Sequence, residues 1–134
     1  MKPESLKTAV ELAEKLEHVF VATGDSSGMP HVAAAAKISQ TSEDQVTVAA
    51  WFCPGTLANL KNNCRISLVV WDAPVDKGYQ LLGQVEKVEE IAMMNGYSPE
   101  TDKYPPIPQV ENKLHVRIDK VIAFSHAPHS DLEE

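Results

Sequence analysis

From Lys113 to Phe124 the chain reads KLHVRIDKVIAF, an alternation of apolar and polar residues that an extended strand sorts onto two faces. Five more segments of strand character precede it. HVFVATG runs into the turn DSSG, and MPHVAAAAKIS lies between Pro30 and the turn residues TSED. QVTVAAWF ends at a Pro-Gly turn, RISLVVWD is apolar and β-branched, and YQLLGQVEKVEE follows the connection APVDKG. The alanines of the second segment favour a helix by propensity, but the turn signals on both sides assign it to a strand. Gly83, inside the fifth segment, marks a bend or bulge. Six strands close in sequence and joined mostly by tight turns predict an antiparallel barrel with small helices.

Two segments have helical character. PESLKTAVELAEKLEHV places Leu6, Ala9, Val10, Ala13 and Leu16 on one stripe with charges opposite, and Pro3 suits a first turn. TLANLKNN, after the Pro-Gly turn, is a short second helix. IAMMNGY reads as one helical turn, and SPETDKYPPIPQVEN as a proline-rich loop that no central strand tolerates. The tail SHAPHSDLEE reads as solvated and mobile. The expected organisation is a single domain over residues 1–134, with an N-terminal helix at 1–17 and a mobile tail at 125–134.

A chain of 134 residues suits one core. A net charge of -7, with Lys and Arg scattered among carboxylates, argues against nucleic-acid binding. No apolar run reaches the length of a membrane span, and the N-terminus MKPESLKTAV lacks an apolar signal centre, so a soluble cytoplasmic protein is expected. Cys53 and Cys64 flank the second helix, whose eight residues rise about 12 Å, too far for a disulfide; both are expected as free thiols.

The junction WFCPGTLANLKNN carries the strongest hint of a site. Thr56 as N-cap would accept a bond from the amide of Ala58 or Asn59, leaving the positive end of a helix beside the Gly55 turn, where an anion is stabilised. Gly55 lets a ligand approach the backbone, and Asn59 lies one turn on. A plain helix cap explains the same residues. The alanines Ala33 to Ala36 and Ala49-Ala50 leave two strands without bulk, and a close-packed interior must be filled by something else. A flat aromatic ligand, the N-terminal helix or a second subunit each answers that need. Trp51 and Phe52 point to opposite faces, and Trp71 reads as core.

No other residues form a catalytic pattern. His126 and His129, in HAPHSD, are too few for a zinc site. His18, His31 and His115 have no nucleophile partner in sequence. Gly-x-Ser-x-Gly, paired-Cys zinc, Walker-loop and paired-carboxylate motifs are all absent.

The succession VATGDSSGMPHVAAAA, QVTVAAWFCPGTLANLKNNCRISLVVWD and KGYQLLGQVEKVEE, closed by LHVRIDKVIAF, resembles the pyridoxamine 5'-phosphate oxidase-like FMN-binding split-barrel family. The glycine-proline turn into the second strand and the T-x-x-N-L helix start are its most telling pieces. The resemblance implies a six-stranded antiparallel split barrel of Greek-key type, with the short helix after the third strand. It also implies a homodimer with FMN at the subunit interface. Thr56 and Asn59, with Gly55, would serve the phosphate end; Ala34, Ala35, Ala36, Ala49, Ala50, Trp51 and Phe52 would line the ribityl chain and ring. Gly55 departs from the Lys or Arg that many relatives carry there, and Lys37, Lys61 and Arg65 are candidates to replace it. The alanine run departs too, where relatives often carry polar residues.

The implied activity is an FMN-dependent oxidoreductase that passes a hydride or electrons between a reduced donor and a small acceptor. Its chemistry would reside in the flavin, with no catalytic side chain and no metal. The alternatives are a non-enzymatic FMN carrier, or a related barrel binding deazaflavin or haem, with His126 or His129 as axial ligand. Pyridoxamine phosphate oxidation itself is not expected, because no second cluster of Arg and His offers to hold that substrate's phosphate. The KYPPIP loop, Lys103–Pro108, is a candidate gate for substrate.

Overall fold

The amphipathic stripe near the N-terminus folds as the helix α1, Pro3–Leu16, with Leu6, Ala9, Val10 and Ala13 buried. The fold is taken from a computed structural model, which describes residues 1–51, 54–94 and 109–133. α1 ends at Glu17, whose φ of 62° is the left-handed conformation that closes a helix. Seven strands follow: β1 Val19–Gly24, β2 Pro30–Ala35, β3 Lys37–Gln40, β4 Gln45–Trp51, β5 Arg65–Asp72, β6 Lys77–Met94 and β7 Gln109–Phe124. The helix α2, Pro54–Leu60, stands between β4 and β5, and a single 3-10 turn, Ala73–Val75, joins β5 to β6.

All pairings are antiparallel, in the order β2-β1-β5-β6-β7-β4-β3. The seventh strand arises because the segment read as one strand divides at Ala36. Its first half pairs with β1, Val19 opposite Ala35, and its second with β4, Lys37 opposite Ala49. One run of chain therefore supplies both edges of the sheet, which curls into a half-barrel. A bend is needed where the partner changes, and a small residue occupies it.

Alternation along the strands sets the core. Val19, Val21, Val46, Val48, Leu68, Val70, Leu81, Leu114 and Val116 turn inward and are nearly inaccessible, and α1 lies against β3 and β5 to cover them. The glycine expected at a bulge is at one: the β6–β7 register shifts between Leu82 and Gly83. A Cβ on Gly83 would overlap the carbonyl oxygen of Arg117, so only glycine fits.

Three expectations are corrected. Ile91–Met94 forms no helical turn but continues β6, with Ala92 opposite Glu111 and Met94 opposite Gln109. The cross-strand ladder outweighs the helical propensity of Ala and Met. For the same reason Gln109–Asn112, expected in the proline-rich loop, begins β7. Asn95–Tyr97 and the Lys103–Pro108 loop lie outside the described residues. Trp71 is half-buried rather than deep in the core, its indole Nε1 donating to Asp76 at 2.9 Å. Among the described residues no helix is long and apolar enough to cross a membrane.

Candidate functional site

α2 begins at Pro54, a residue suited to the first helical position because its nitrogen has no hydrogen to leave unpaired. Thr56 is therefore inside the first turn and is not the N-cap. Its side chain is only 3% exposed, and its Oγ1 has no hydrogen-bond partner among the described residues, so it accepts nothing from the amide of Ala58 or Asn59. The sequence signal for a cap, a Thr after Pro-Gly, was overridden by the proline itself. Asn59, half-buried one turn on, donates through Nδ2 to Thr23 Oγ1 at 3.0 Å and ties α2 to β1.

Thr56 lines a small cavity beneath α2, together with Ala33 and Ala34 of β2, Val21, Leu57, Leu114 and the buried Asn112. Its volume of about 10 Å³ has room for one water. A flavin ring is far too large to enter it. The surface open to such a ring is the other side of β2, which is an edge strand of the sheet order. Val32 at 63% exposure, the exposed Ala34 and, opposite Ala34 on β1, Phe20 at 39% exposure make an apolar face there.

The remaining predicted residues are distributed as follows. Ala35 is buried in the core, and Ala49 is half-buried on β4 opposite Lys37. Ala36, with Lys37 and Ile38, borders an open concavity of about 510 Å³ on the side of α1, where Glu14 and Glu17 stand. The backbones of Ala50 and Trp51 pair with Asn112 and Glu111 of β7. Phe52 and Cys53 lie outside the described residues, and Cys64 is a free, exposed thiol. Of the predicted set, the structure thus brings Ala34 and Thr56 to one cavity, with Gly55 beside Thr56 and Asn59 one turn further along α2.

His31 was missed by the sequence reading. It lies on β2 opposite Thr23, and its ring packs against the backbone of Gly55: a Cβ on Gly55 would lie 3.0 Å from His31 Nε2. The spacing of residues 31 and 55 carries no hint of this, because the contact depends on how α2 folds back over the β2 edge.

Two carboxylates stabilise the turns around this framework. Asp25 Oδ1 accepts from the amides of Met29 and Ser27 and from the Ser27 hydroxyl, each at 2.8 Å, and fixes the β1–β2 hairpin. These bonds, that from Met29 foremost, hold its carboxyl below the usual range. Asp76 accepts from the amides of His126 and Ala127 and from Trp71 Nε1, and the His126 amide is the main cause of its lowered pKa. Among the described residues no group of His, Cys, Asp or Glu could hold a metal ion.

The family model of pyridoxamine 5'-phosphate oxidase matches residues 6–121. No curated protein matches the chain in sequence. Solved structures share the fold. A Clostridium acetobutylicum protein related to general stress protein 26, of the pyridoxinephosphate oxidase family, superposes with a TM-score of 0.65 at 18% identity, covering 99% of this chain and 96% of that one. An FMN-binding protein from Syntrophomonas wolfei gives 0.64 at 18% identity, over 93% of this chain and 89% of its own. The haem storage protein HutZ of Vibrio cholerae gives 0.56 at 13% identity, over 92% and 96%.

Proposed function

This chain belongs to the pyridoxamine 5'-phosphate oxidase family, and on that premise we propose that it is a cytoplasmic FMN-binding protein acting as an oxidoreductase. The observation that carries the reading is the edge strand β2. It presents Val32 and Ala34 on its outer face, apolar and uncharged, while on its opposite face His31 meets Gly55 at the start of α2. A flat apolar ring can lie against such a ledge, with the backbone groups of an edge strand free to meet its polar rim.

The residues present fit FMN. Ala34, beside Val32, gives a ring an apolar support of low bulk. Gly55 admits the phosphate close to the main chain. The unpartnered hydroxyl of Thr56 is a buried polar group that only a water, or one polar atom of similar size, has room to satisfy. When bound, the flavin would supply transfer of a hydride or of single electrons. The protein's part is to position it, to exclude water along the β2 face, and to admit a small donor or acceptor.

We further propose a homodimer with the flavin at the interface. Phe20 and Val32 are large apolar side chains left open on the same face as Ala34, a grouping that a second copy of the chain would cover. Similarity in fold to the FMN-binding protein of Syntrophomonas wolfei supports FMN over haem. His126 stands by the turn that Asp76 closes, its Nε2 3.5 Å from Asp76 Oδ2.

The test is anaerobic mixing of the FMN-loaded protein with NADH or NADPH. Bleaching of the flavin absorbance faster than that of free FMN supports the oxidoreductase; bleaching no faster with any reduced donor leaves the carrier reading in its place.

A further inference from the structure

Asp76 closes the 3-10 turn between β5 and β6 in the left-handed conformation, φ 50°, which is costly for a residue with a Cβ. Its carboxylate is 19% exposed and takes donors from two directions. From β5, Trp71 Nε1 donates to Oδ1 at 2.9 Å. From the tail after β7, the amide of His126 donates to Oδ1 at 2.9 Å and that of Ala127 to Oδ2 at 3.0 Å. We infer that Asp76 is the catch of a clasp: it holds residues 125–129 of the tail folded back against β5, and the tail opens as one unit when that carboxylate is lost. The clasp uses no residue assigned to the flavin and does not rest on that reading.

Local bonds make the start of the tail a unit. The Ser125 hydroxyl donates to the Ala127 carbonyl at 3.2 Å and stands 3.0 Å from His129 Nδ1, which is itself 2.8 Å from the same carbonyl. The His126 ring meets Trp71 edge to face, with centroids 6.2 Å apart and planes at 89°. Its Nε2 also faces Asp76, but that side chain is 75% exposed and the ion pair adds little, so the two amides carry the hold. The clasp lies at one end of the outer face of the sheet. Leu68 and Val70 point into the core, so Val69 and Trp71 point out. Val69 stands opposite Phe20, and Trp71 opposite Gly78, which in turn stands opposite Phe124. Gly78 has no side chain to separate those two rings, which meet across it with centroids 6.1 Å apart. With the tail closed, His126 covers an edge of Trp71; with the tail open, that edge is bare, on the same face as Phe20.

Backbone order from nitrogen relaxation and amide exchange, measured by NMR on the full chain at neutral pH, reads the clasp directly. In wild type, residues 125–127 and 129 should have order parameters near the about 0.85 of a rigid backbone. Asp76→Gly adopts the left-handed turn without strain and lacks only the carboxylate. In that variant the order parameters of these residues should fall together to below about 0.6, the range of a flexible segment. The His126 and Ala127 amides should then exchange about tenfold or more faster, as for loss of charge-assisted bonds. His126→Ala leaves both amides in place and should keep the tail ordered. Unchanged order in β5, β6 and β7 identifies the variants that fold. A wild-type tail already flexible at residues 125–129 overturns the inference without any variant. So does an Asp76→Gly tail as ordered as that of wild type, or a tail freed by His126→Ala, which would make the ring rather than the carboxylate the catch.

Discussion

Thr56→Val should stabilise the ligand-free protein. The hydroxyl of Thr56 is buried at 3% exposure with no partner, and a buried hydroxyl without a hydrogen bond costs about 1–3 kcal/mol against its hydrated state. Valine has the same shape, places a methyl where the hydroxyl was, and differs little from threonine in helix propensity. The methyl meets walls formed mostly by Val21, Ala33, Leu57 and Leu114, with Asn112 the one other polar residue of the lining, so the exchange turns most of a mismatch into apolar contact. The gain should be about 1–2 kcal/mol, toward the lower end because the cavity of about 10 Å³ is imperfectly filled. Equilibrium unfolding in urea reads it directly, as a higher midpoint with an unchanged slope. A loss of stability of about 1 kcal/mol or more would refute the reasoning, since it would mean that the hydroxyl is bonded in solution, with a water in the cavity as its partner.

Other substitutions test the frame. Gly83→Ala puts a Cβ onto the Arg117 carbonyl, where the obstacles are backbone atoms of β7, and should destabilise by about 3 kcal/mol or prevent folding, read by the yield and urea midpoint of the soluble protein. Leu68→Ala, at a fully buried position of β5, should cost about 3–5 kcal/mol in the same assay. Glu17→Gly relieves a left-handed non-glycine residue at the end of α1 and should raise the midpoint by the equivalent of about 0.5–1 kcal/mol. Asp76 has a folded pKa below its unfolded value, so its stabilisation is present above the unfolded value and is lost as pH falls through the folded one. Asp76→Asn should therefore be less stable than wild type near neutrality, and the difference should close as the pH drops below about 4, followed by urea midpoints at successive pH values.

Much of the frame was legible because period-two alternation and turn residues are local signals. KLHVRIDKVIAF, the stripe of α1 and the bulge at Gly83 could all be read without knowing a single long-range contact. What escaped depended on distant partners. Ala36 divides a strand only because β1 and β4 both claim it. Ile91–Met94 extends β6 only because residues from Gln109 onward pair with it. Within the site, Thr56 was legible as a residue of interest but not its burial, and Asn59 not its bond to Thr23. His31 was illegible as part of the site, since nothing in its neighbours in sequence reveals the glycine 24 positions later on which its ring rests.

The central claim is that the alanine ledge of β2 and the start of α2 hold FMN. The most direct measurement is the visible absorbance of the purified protein after incubation with FMN and desalting. The account predicts flavin bands that stay with the protein, at a stoichiometry of one FMN per chain. A colourless protein, with all added FMN eluting in the small-molecule fraction, would contradict it.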